Sequence, residues 1–296
     1  VAATNKLRQR EQLAAAGIAQ PRSWVVGGED PLPSISGPVV VKAPDRQGQK
    51  GLTLVEDPAQ LAAAVATARS VARNGLALVE ELVDGPEVTV VGFTIDGVFT
   101  ALAVTDRITA DPPAFGVALA HVFESEHAKA AAIVAAGAAR ALGIENGPSY
   151  TQLRVGADGP QVIEVAARLG GGHDAELVQA ATGVDLNGLA IAAALDEPID
   201  LPRPAHAAGG AVTRFLIAPP GALDRVEVPA GLEGVESVRI YREPGYVFAP
   251  LRRGADRAGA VLVLGDSRAE AVARAEAAAE RIRFVTADAG ALLQAN

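Results

Sequence analysis

The stretch YTQLRVGADGPQVIEVAARLGGGH, residues 150–173, decides the fold, because it joins two strand-like segments, a turn and a glycine run. In the second segment, Glu164 and Arg168 interrupt an otherwise apolar pattern, and Gly170–Gly172 follow almost at once. Two interpretations fit this arrangement. One is a site for a metal ion and a phosphate, and the other is an ion-paired strand end that leads into a flexible turn.

The spacing of the two segments predicts which side chains meet. A turn within GADGP pairs Gln152 with Glu164 across the hairpin, with Cβ atoms roughly 5 Å apart. Alternation along the second strand puts Val162, Glu164 and Arg168 on one face. Hard cations such as Mg²⁺ prefer oxygen ligands of this kind. The alternative is that Glu164 forms an ordinary surface ion pair with Arg154 or Arg168, an interaction that is common and weak.

The hydrophobic pattern predicts the other helices and strands. Helices are predicted over 5–16 (ending at Gly17), from Asp57 to about Ala72, from the cap Ser125 to before Gly143, over 174–182 and 186–195, and from Ser267 to about Arg283. Strands are predicted over 38–43, 51–55, 76–82, 87–104 with a hairpin at Asp96-Gly97, 150–155 and 161–166. An irregular segment is predicted over 106–124, and a linker at Pro198, Pro202 and Pro204.

The composition limits the classes of function. The chain has 296 residues, 49% of them hydrophobic, which is enough for a large core in two or three subdomains. Its net charge of −9 argues against nucleic acid as the main partner. The chain has 0 cysteines, so disulfides, thiolate nucleophiles and cysteine metal sites are excluded. With no leader and no apolar run of about 18 residues, we expect no membrane partner and a cytoplasmic protein.

Three further motifs precede the hairpin. They are TNKLRQREQLAAAGIAQP (4–21), VVVKAPDRQGQKGLTLV (39–55) and ALVEELVDGPEVTVVGF (77–93). In the second motif, Lys42 ends an apolar strand, where a lone amine needs an anion nearby. With the hairpin, the order and spacing of these motifs resemble the ATP-grasp ligases. Among these, the chain resembles L-amino-acid and dipeptide ligases and D-alanine–D-alanine ligase, and more distantly biotin carboxylase and the carbamoyl-phosphate synthetase large chain.

The resemblance implies an α+β protein with the ATP-grasp fold, in which two α+β subdomains with antiparallel sheets clamp ATP. A β-rich C-terminal segment would complete the large lobe. The expected division is a helix and linker over 1–29, a small subdomain over 30–90, a large subdomain over 91–200 and the C-terminal subdomain over 201–296. The family normally has a further N-terminal α/β domain of roughly 100 residues, and we expect that domain to be missing from this sequence.

The resemblance also assigns residues to ATP. Lys6 and Lys42 would contact phosphates, and the loop from Asp45 to Gly51, with Gly48 and Gln49, would close over them. Glycine allows backbone N–H groups to approach an anion closely. The adenine edge and the ribose would be held by the third motif, through Glu80, Glu81 and Val83 for adenine and Glu87 for the ribose hydroxyls.

In the hairpin, the resemblance makes Gln152 and Glu164 the ligands of Mg²⁺. Arg168 and Lys42 would be the catalytic residues, which stabilise the transferring phosphoryl group. Gln152 stands where a Glu is usual, and Ala166 where an Asn is usual, so one or two ions remain open. Weaker candidates for binding substrate, partly through backbone N–H groups, are Arg107, Ser149, Gly170, Gly171, His173 and Arg214.

The implied function is ATP-dependent activation of a carboxylate as an acyl phosphate, which then joins an amine and releases ADP and phosphate. The segments TRFLIAPPGAL (213–223) and RAGAVLVLGDSRAEA (257–271) resemble the closing region of amino-acid ligases, which favours an amino acid as substrate. The expected partners are therefore small molecules, and a homodimer is a possible assembly. Two alternatives stay open: activation of bicarbonate, and a catalytically weakened ATP-binding module.

Overall fold

The computed structural model describes residues 2–201 and 208–287, and the chain divides into two compact units. The first unit comprises Val1–Asp106, Ser125–Gly170 and Asp185–Pro202, and the second comprises Arg107–Glu124, Gly171–Val184 and Arg203–Asn296. The four-part division expected from the sequence stays a prediction. Of the predicted linker, Pro202 and Pro204 lie outside the described residues.

The described chain contains α-helices and a larger number of strands, in mixed order. The helices are α1 (Lys6–Ala15), α2 (Leu61–Val71), α3 (Ala128–Ala141), α4 (Asp174–Thr182), α5 (Leu186–Ala194) and α6 (Arg268–Arg281). The strands are β1 (Ser23–Val26), β2 (Val39–Lys42), β3 (Thr53–Val55), β4 (Ala77–Glu81), β5 (Glu87–Ile95), β6 (Val98–Thr109), β7 (Ala118–Phe123), β8 (Gly147–Gly156), β9 (Gly159–Ala166), β10 (Gly210–Leu216), β11 (Gly221–Glu227), β12 (Val235–Ile240), β13 (Val247–Phe248), β14 (Gly259–Gly265) and β15 (Arg283–Ala287).

The first unit contains a small antiparallel sheet in the order β1-β4-β2-β3. Its apolar side chains, among them Val41 and Val79, form a core with Leu61 and Val65 of α2. Opposite residues of an antiparallel pair share a face, and Val40 lies opposite Glu80 in this sheet. Lys42 therefore lies on the same face as Glu80, which brings two charged side chains together at the end of β2.

The same unit contains a larger antiparallel ladder in the order β6-β5-β8-β9. Helix α3 covers one face, where its alanines pack against Val90, Leu153 and Val165. Alanine leaves no bulky side chain between helix and sheet, which explains the use of alanine in this helix. At the β5–β6 turn, Asp96 and Gly97 both have positive φ, as a two-residue hairpin turn requires, so the predicted hairpin is confirmed.

The outer edge of β9 is closed by α1 and the residues that follow it. The Gln9 side-chain amide donates to the carbonyl of Val165 (2.8 Å) and accepts its N–H (3.0 Å). Arg10 donates to the carbonyls of Val162 (2.9 Å) and Ile163 (2.6 Å). The N–H of Val162 in turn donates to the carbonyl of Ala19 (2.8 Å). Side chains thus take the place of a neighbouring strand.

The hairpin pairs Gln152 directly with Glu164, as the sequence predicts. The predicted faces are wrong in one respect, because Val162 lies in the same core cluster as Val165 instead of on the face of Glu164. The reason is a β-bulge next to Leu153, where Ile163 is an extra residue on β9 and shifts the alternation by one.

Two other predictions need correction. Residues 106–124 are not irregular throughout, because β6 continues to Thr109 and β7 pairs with β10. Nearly every residue of β7 is buried, so its sequence shows no alternation of polar and apolar residues. Ser125 is also not the N-cap of α3, which is His127; the Ser125 hydroxyl instead accepts the N–H of His127 (3.1 Å) in the turn before the helix.

The second unit is built on antiparallel strands in the order β12-β14-β10-β7. Helix α6, which is capped by Ser267 as predicted, packs on them through Ala271, Ala275 and Ala278. A small sheet in the order β13-β11-β15 adds Leu223, Phe248 and Phe284 to the same core.

No single helix in the described part of the chain is long and apolar enough to cross a membrane. The consecutive helices α4 and α5 meet the criteria of length and composition only when they are taken together.

Candidate functional site

Lys6 is positioned at the first turn of α1 by the Asn5 side chain, which accepts the N–H groups of Leu7 and Arg8. The Lys6 amine donates to the carbonyl of Arg46 (3.0 Å) and forms an ion pair with Glu164 Oε1 (3.2 Å). Glu164 therefore forms its ion pair with Lys6. The surface ion-pair alternative expected Arg154 or Arg168 as the partner of Glu164. Lys6 thus joins the 45–51 loop to the hairpin.

A buried group of three charges lies nearby. Glu80 contacts the Lys42 amine through Oε2 and the Arg10 Nε through Oε1 (2.5 Å), and all three side chains are at most 7% exposed. Burial lowers the pKa of Lys42, and the carboxylate of Glu80 offsets part of that effect. Burial alone would raise the pKa of Glu80, but Lys42 and Arg10 outweigh it and hold that pKa below its usual value. Two cations and one anion leave a net positive charge, which favours binding of an anion.

The 45–51 loop lies between β2 and β3. Gly48 and Gln49 both have left-handed backbone, with φ of 68° and 58°. At Gly51 a Cβ would come within 2.5 Å of Val71, so a side chain does not fit there. The loop is fixed at its base, where the Asp45 carboxylate accepts the N–H groups of Arg73 and Asn74 at 3.0–3.2 Å.

The segment after β4 runs beside the β8–β9 turn. The Glu81 side chain is exposed, 3.9 Å from Arg22, whereas Val83 is buried. Gly85 packs so closely on Val155 that a Cβ would lie 2.0 Å from its carbonyl oxygen. Glu87, at the start of β5, lies opposite Arg154. This segment therefore presents backbone groups, and after them the carboxylate of Glu87. The Glu80 carboxylate is already paired with Lys42 and Arg10.

The hairpin offers oxygen atoms from two side chains. Gln152 and Glu164 are directly paired and both are partly exposed. No cluster of three or more His, Asp or Glu residues able to hold a metal ion occurs within 2–201 and 208–287. An ion here would thus take the side-chain oxygens of Gln152 and Glu164 and complete its shell with phosphate and water, as Mg²⁺ commonly does. Arg168 follows the end of β9 with an exposed guanidinium, which donates to the carbonyl of Leu169 (2.7 Å).

The substrate candidates are distributed over both units. In the first unit, Ser149 is buried on β8, opposite Gly92. Gly170 ends the segment Ser125–Gly170 of this unit, and Gly171 begins a segment of the second unit. In the second unit, Arg107 donates to the carbonyl of Gly116 (2.8 Å), and Arg214 forms an ion pair with Glu276 (2.9 Å).

His173 has partners that the sequence did not reveal. In the second unit, its Nε2 lies 2.5 Å from the Tyr241 hydroxyl, and its Nδ1 lies 3.3 Å from Glu176, which also contacts Arg239 at 3.3 Å. Stacking on Tyr241 and the contact with Glu176 fix the ring. His173 therefore belongs to a chain of polar contacts that runs from Tyr241 through His173 and Glu176 to Arg239.

A second histidine lies behind the glycine run. His121 of β7 is 1% exposed, and its Nδ1 is 3.9 Å from the buried Asp174 carboxylate. The Gly172 N–H donates to Asp174 Oδ2 (2.9 Å), and a Cβ on Gly172 would lie 2.8 Å from His121 Nε2. Glycine at 172 is therefore required for the His121 ring to fit. A single histidine in an apolar strand gave no signal of this arrangement.

Acid should destabilise the fold through His121. Burial lowers its pKa to about 4 from 6.5, although Asp174 opposes this. Between these values the unfolded chain binds the proton and the folded chain does not, so the free energy of unfolding falls as pH drops from 6.5 to 4, by ~3 kcal/mol. Urea unfolding measured across this pH range should show a shallower loss for His121→Gln. The variant His127→Gln, at a partly exposed histidine, is the control, and equal pH slopes for wild type and His121→Gln would contradict the expectation.

Comparison with known families gives two matches along the chain. Residues 35–176 match the ATP-grasp domain, and the predicted ATP-grasp fold, with its antiparallel sheets, is confirmed. This match covers slightly less than half of the chain and shows the fold. Residues 214–287 match "L-amino acid ligase C-terminal domain 2", so along the chain a match to an L-amino acid ligase domain follows the match to the ATP-grasp domain.

Two individual relatives are similar to the chain. The chain is 31% identical over 295 residues to "Uncharacterized protein y4rH" of Sinorhizobium fredii, covering 94% of this chain and 60% of that protein. It is 26% identical over 192 residues to dapdiamide A synthase of Enterobacter agglomerans, covering 60% and 45% respectively. The chain thus spans only about half the length of these curated relatives.

Two solved structures share the fold. L-amino acid ligase from Bacillus licheniformis superimposes with a TM-score of 0.83 at 24% identity, covering 97% of this chain and 73% of that one. The biotin carboxylase domain of Hydrogenobacter thermophilus 2-oxoglutarate carboxylase, a dimer in complex with MgADP, ADP and bicarbonate, has a TM-score of 0.75 at 19% identity, covering 96% and 67%.

Proposed function

We propose that this chain is the ATP-grasp part of a ligase that activates a carboxylate with ATP and joins it to an amine. One observation carries the proposal: within the first unit, Lys6 contacts Glu164, Lys42 lies in a buried group of net positive charge, and Gln152 lies opposite Glu164. Cations for phosphate and oxygens for a metal ion are thus combined in the first unit, and Lys42, Gln152 and Glu164 lie within residues 35–176, which match an ATP-grasp domain.

The nucleotide is assigned residue by residue. Lys6 and Lys42 neutralise phosphate charge, and the backbone at Gly48 and Gln49 covers the phosphates. The segment with Glu80, Glu81 and Val83 follows the adenine edge through its backbone, since the Glu80 carboxylate is occupied. Glu87 accepts the ribose hydroxyls, because one carboxylate can accept two hydroxyl hydrogen bonds.

Glu164 and Gln152 are assigned to Mg²⁺. When bound, the ion neutralises charge on the phosphates and orients them for transfer. The Lys6 amine, which lies 3.2 Å from Glu164 Oε1, would neutralise charge on the same phosphates. Ala166 has no ligand atom in its side chain, so we propose a single ion at this hairpin.

The proposed reaction has two steps. First, a carboxylate oxygen of the substrate attacks the terminal phosphorus of ATP, the bond to the bridging oxygen breaks, and ADP leaves. Arg168 neutralises charge on the phosphoryl group in transit, where positioning and charge stabilisation supply most of the catalysis. The neutral amine of the second substrate then attacks the acyl carbon, inorganic phosphate leaves, and the amine nitrogen releases one proton to solvent.

An amino acid is the proposed carboxylate substrate, and the partners of the protein are small molecules. The match of residues 214–287 to the L-amino acid ligase C-terminal domain supports this class, as does the relative named as a dapdiamide synthase. The backbone at Gly170 and Gly171, with Ser149, Arg107, His173 and Arg214, remains the candidate set for substrate.

The test is phosphate release from ATP by the full-length protein with Mg²⁺ and a panel of paired amino acids, with bicarbonate plus ammonia run in parallel. Release that requires an amino-acid pair, with the ligated product seen by mass spectrometry, supports the proposal. Release that requires only bicarbonate would replace it with bicarbonate activation. Tight binding of ATP without release under any condition would replace it with a non-catalytic ATP-binding module.

The ribose assignment predicts an effect on affinity alone. Glu87→Ala should weaken ATP binding by ~1–3 kcal/mol, the scale of hydrogen bonds lost to a charged group. Isothermal titration calorimetry with ATP measures this effect, and 2′-deoxy-ATP should lose less affinity than ATP in the same variant. Asp84→Ala, at an exposed acid on the same segment, is the matched control. Wild-type affinity in Glu87→Ala would remove Glu87 from the ribose site.

A further inference from the structure

Arg10 is a buried arginine that no part of the proposed reaction uses. It lies on α1 one turn after Lys6 and is 6% exposed. Its Nε bonds to Glu80 Oε1 (2.5 Å), Nη1 to the Val162 carbonyl (2.9 Å) and Nη2 to the Ile163 carbonyl (2.6 Å). One guanidinium therefore touches the small sheet and the hairpin at the same time.

Stability alone is a weak explanation for this arrangement. Removing a guanidinium from water costs several kcal/mol, and apolar residues of similar volume often stabilise a protein as well as a buried ion pair does. An apolar side chain between α1, β4 and β9 would fill the same space. An apolar side chain could not hold the Glu80 carboxylate and two backbone carbonyls in a fixed geometry. The planar guanidinium of arginine does so through its N–H donors.

The first consequence concerns charge. Arg10 takes Oε1 of Glu80 and Lys42 takes Oε2, so the group carries one more positive than negative charge. Without Arg10, Lys42 and Glu80 would form a neutral pair, and the amine would have less attraction for a phosphate. Arg10 thus supplies a positive charge to the site while its own donors are used elsewhere.

The second consequence concerns position. The two carbonyls that Arg10 holds belong to Val162 and the bulged Ile163, directly before Glu164. The direction of the Glu164 side chain depends on the backbone of this bulge. Arg10 therefore acts on the nucleotide side through Glu80 and on the metal side through Ile163.

We infer that Arg10 is a positioning residue for a Mg·nucleoside triphosphate: it sets the Lys42 amine through Glu80 and the Glu164 carboxylate through the β9 bulge. The inference rests on the proposed function. It adds that the two halves of the site are coupled by a side chain that touches neither the nucleotide nor the metal.

The experiment compares Arg10→Met, Arg10→Lys and the matched control Arg8→Met, at an exposed arginine of the same helix, with Lys42→Met as reference. The probe is Mg·AMP-PNP, titrated by calorimetry into the full-length protein, and circular dichroism checks the fold. Arg10→Met should weaken binding by roughly tenfold or more, the scale of a lost charge-assisted hydrogen bond. Arg10→Lys keeps the charge but loses the fork, so binding should fall less while the Mg²⁺ concentration for half-maximal turnover still rises.

A pH profile separates positioning from a merely structural role. Arg10 is one of the groups that lower the pKa of Lys42, together with burial and Lys6, while Glu80 raises it. Loss of the Arg10 charge should therefore move the alkaline limit of nucleotide binding to higher pH in Arg10→Met. Arg8→Met should leave that limit unchanged.

The outcomes are distinct. Folded Arg10→Lys and Arg10→Met proteins that bind the probe as wild type does, while Lys42→Met does not, would overturn the inference and leave the proposed function intact. If wild type itself does not bind the probe, the proposed function fails first. If Arg10→Met does not fold, the test uses Arg10→Lys alone. Its Mg²⁺ concentration for half-maximal turnover and its affinity for the probe are then compared with those of wild type, and equal values for both quantities would overturn the inference.

Discussion

Replacement of Glu164 by alanine should abolish Mg²⁺-dependent turnover of ATP. In the proposed site Glu164 provides the one carboxylate for the ion, since its partner across the hairpin, Gln152, is an uncharged amide. Loss of the carboxylate leaves a single neutral oxygen ligand, which is too little to hold a hard dication beside phosphates. Phosphate release measured over a range of Mg²⁺ concentrations tests this, with Glu145→Ala at an exposed acid of the same unit as control.

The ion pair between Glu164 and Lys6 provides a competing explanation, in which Glu164 only orients the lysine. The variant Glu164→Asp separates the two. A shorter carboxylate should raise the Mg²⁺ concentration needed for half-maximal activity, and high Mg²⁺ should restore part of the rate. If its Mg²⁺ activation curve instead overlays that of wild type, the metal assignment is lost. Full activity in Glu164→Ala would have the same meaning.

Arg168→Ala should lower kcat by roughly 10³-fold while the dissociation constant of Mg·ATP changes little, which is the range for an arginine that stabilises a transferring phosphoryl group. The structure supports this separation, because Arg168 follows the end of β9 with an exposed guanidinium and takes no part in the buried group at Lys42. Its interaction would form mainly with the charge that develops during transfer, so it lowers the barrier more than it adds to ground-state binding.

Single-turnover phosphate release gives the rate of the chemical step, and calorimetry with AMP-PNP gives the affinity. The control is Arg140→Ala, at an exposed arginine of α3. A variant that loses affinity for AMP-PNP while its kcat is unchanged would place Arg168 in ground-state binding instead. A variant with wild-type kcat would remove it from the mechanism.

The hairpin shows how far sequence can specify the geometry of such a site. A short turn and two alternating strands fixed the pairing of Gln152 with Glu164, because both signals act locally. The bulge at Ile163 escaped prediction because it is recognised only in the pairing of two strands. Strand β7 escaped for a different reason: it is buried almost throughout, so its pattern does not alternate, and the prolines before it suggested a loop.

Arg10 is the clearest case of a functional candidate that the sequence contained but did not reveal. Arginine is rarely buried, so an arginine in a polar helix is assigned to solvent by default. One signal was present, because Arg10 follows Lys6 by one helical turn and so lies on the same side of α1. Only the folded chain brings Glu80, seventy residues away, and the β9 carbonyls to that side. Local patterns carry no information on such distant partners.

The side chains of Gln9 and Arg10 on the margin of β9 also affect how the protein behaves in concentrated solution. A bare marginal strand offers a row of N–H and carbonyl groups onto which a strand of another molecule can add, and this is a common beginning of aggregation. In this chain the N–H and carbonyl of Val165, the N–H and carbonyl of Val162 and the carbonyl of Ile163 are already satisfied from within. Unfolding of the first helix alone would therefore turn this margin into a template for fibril growth.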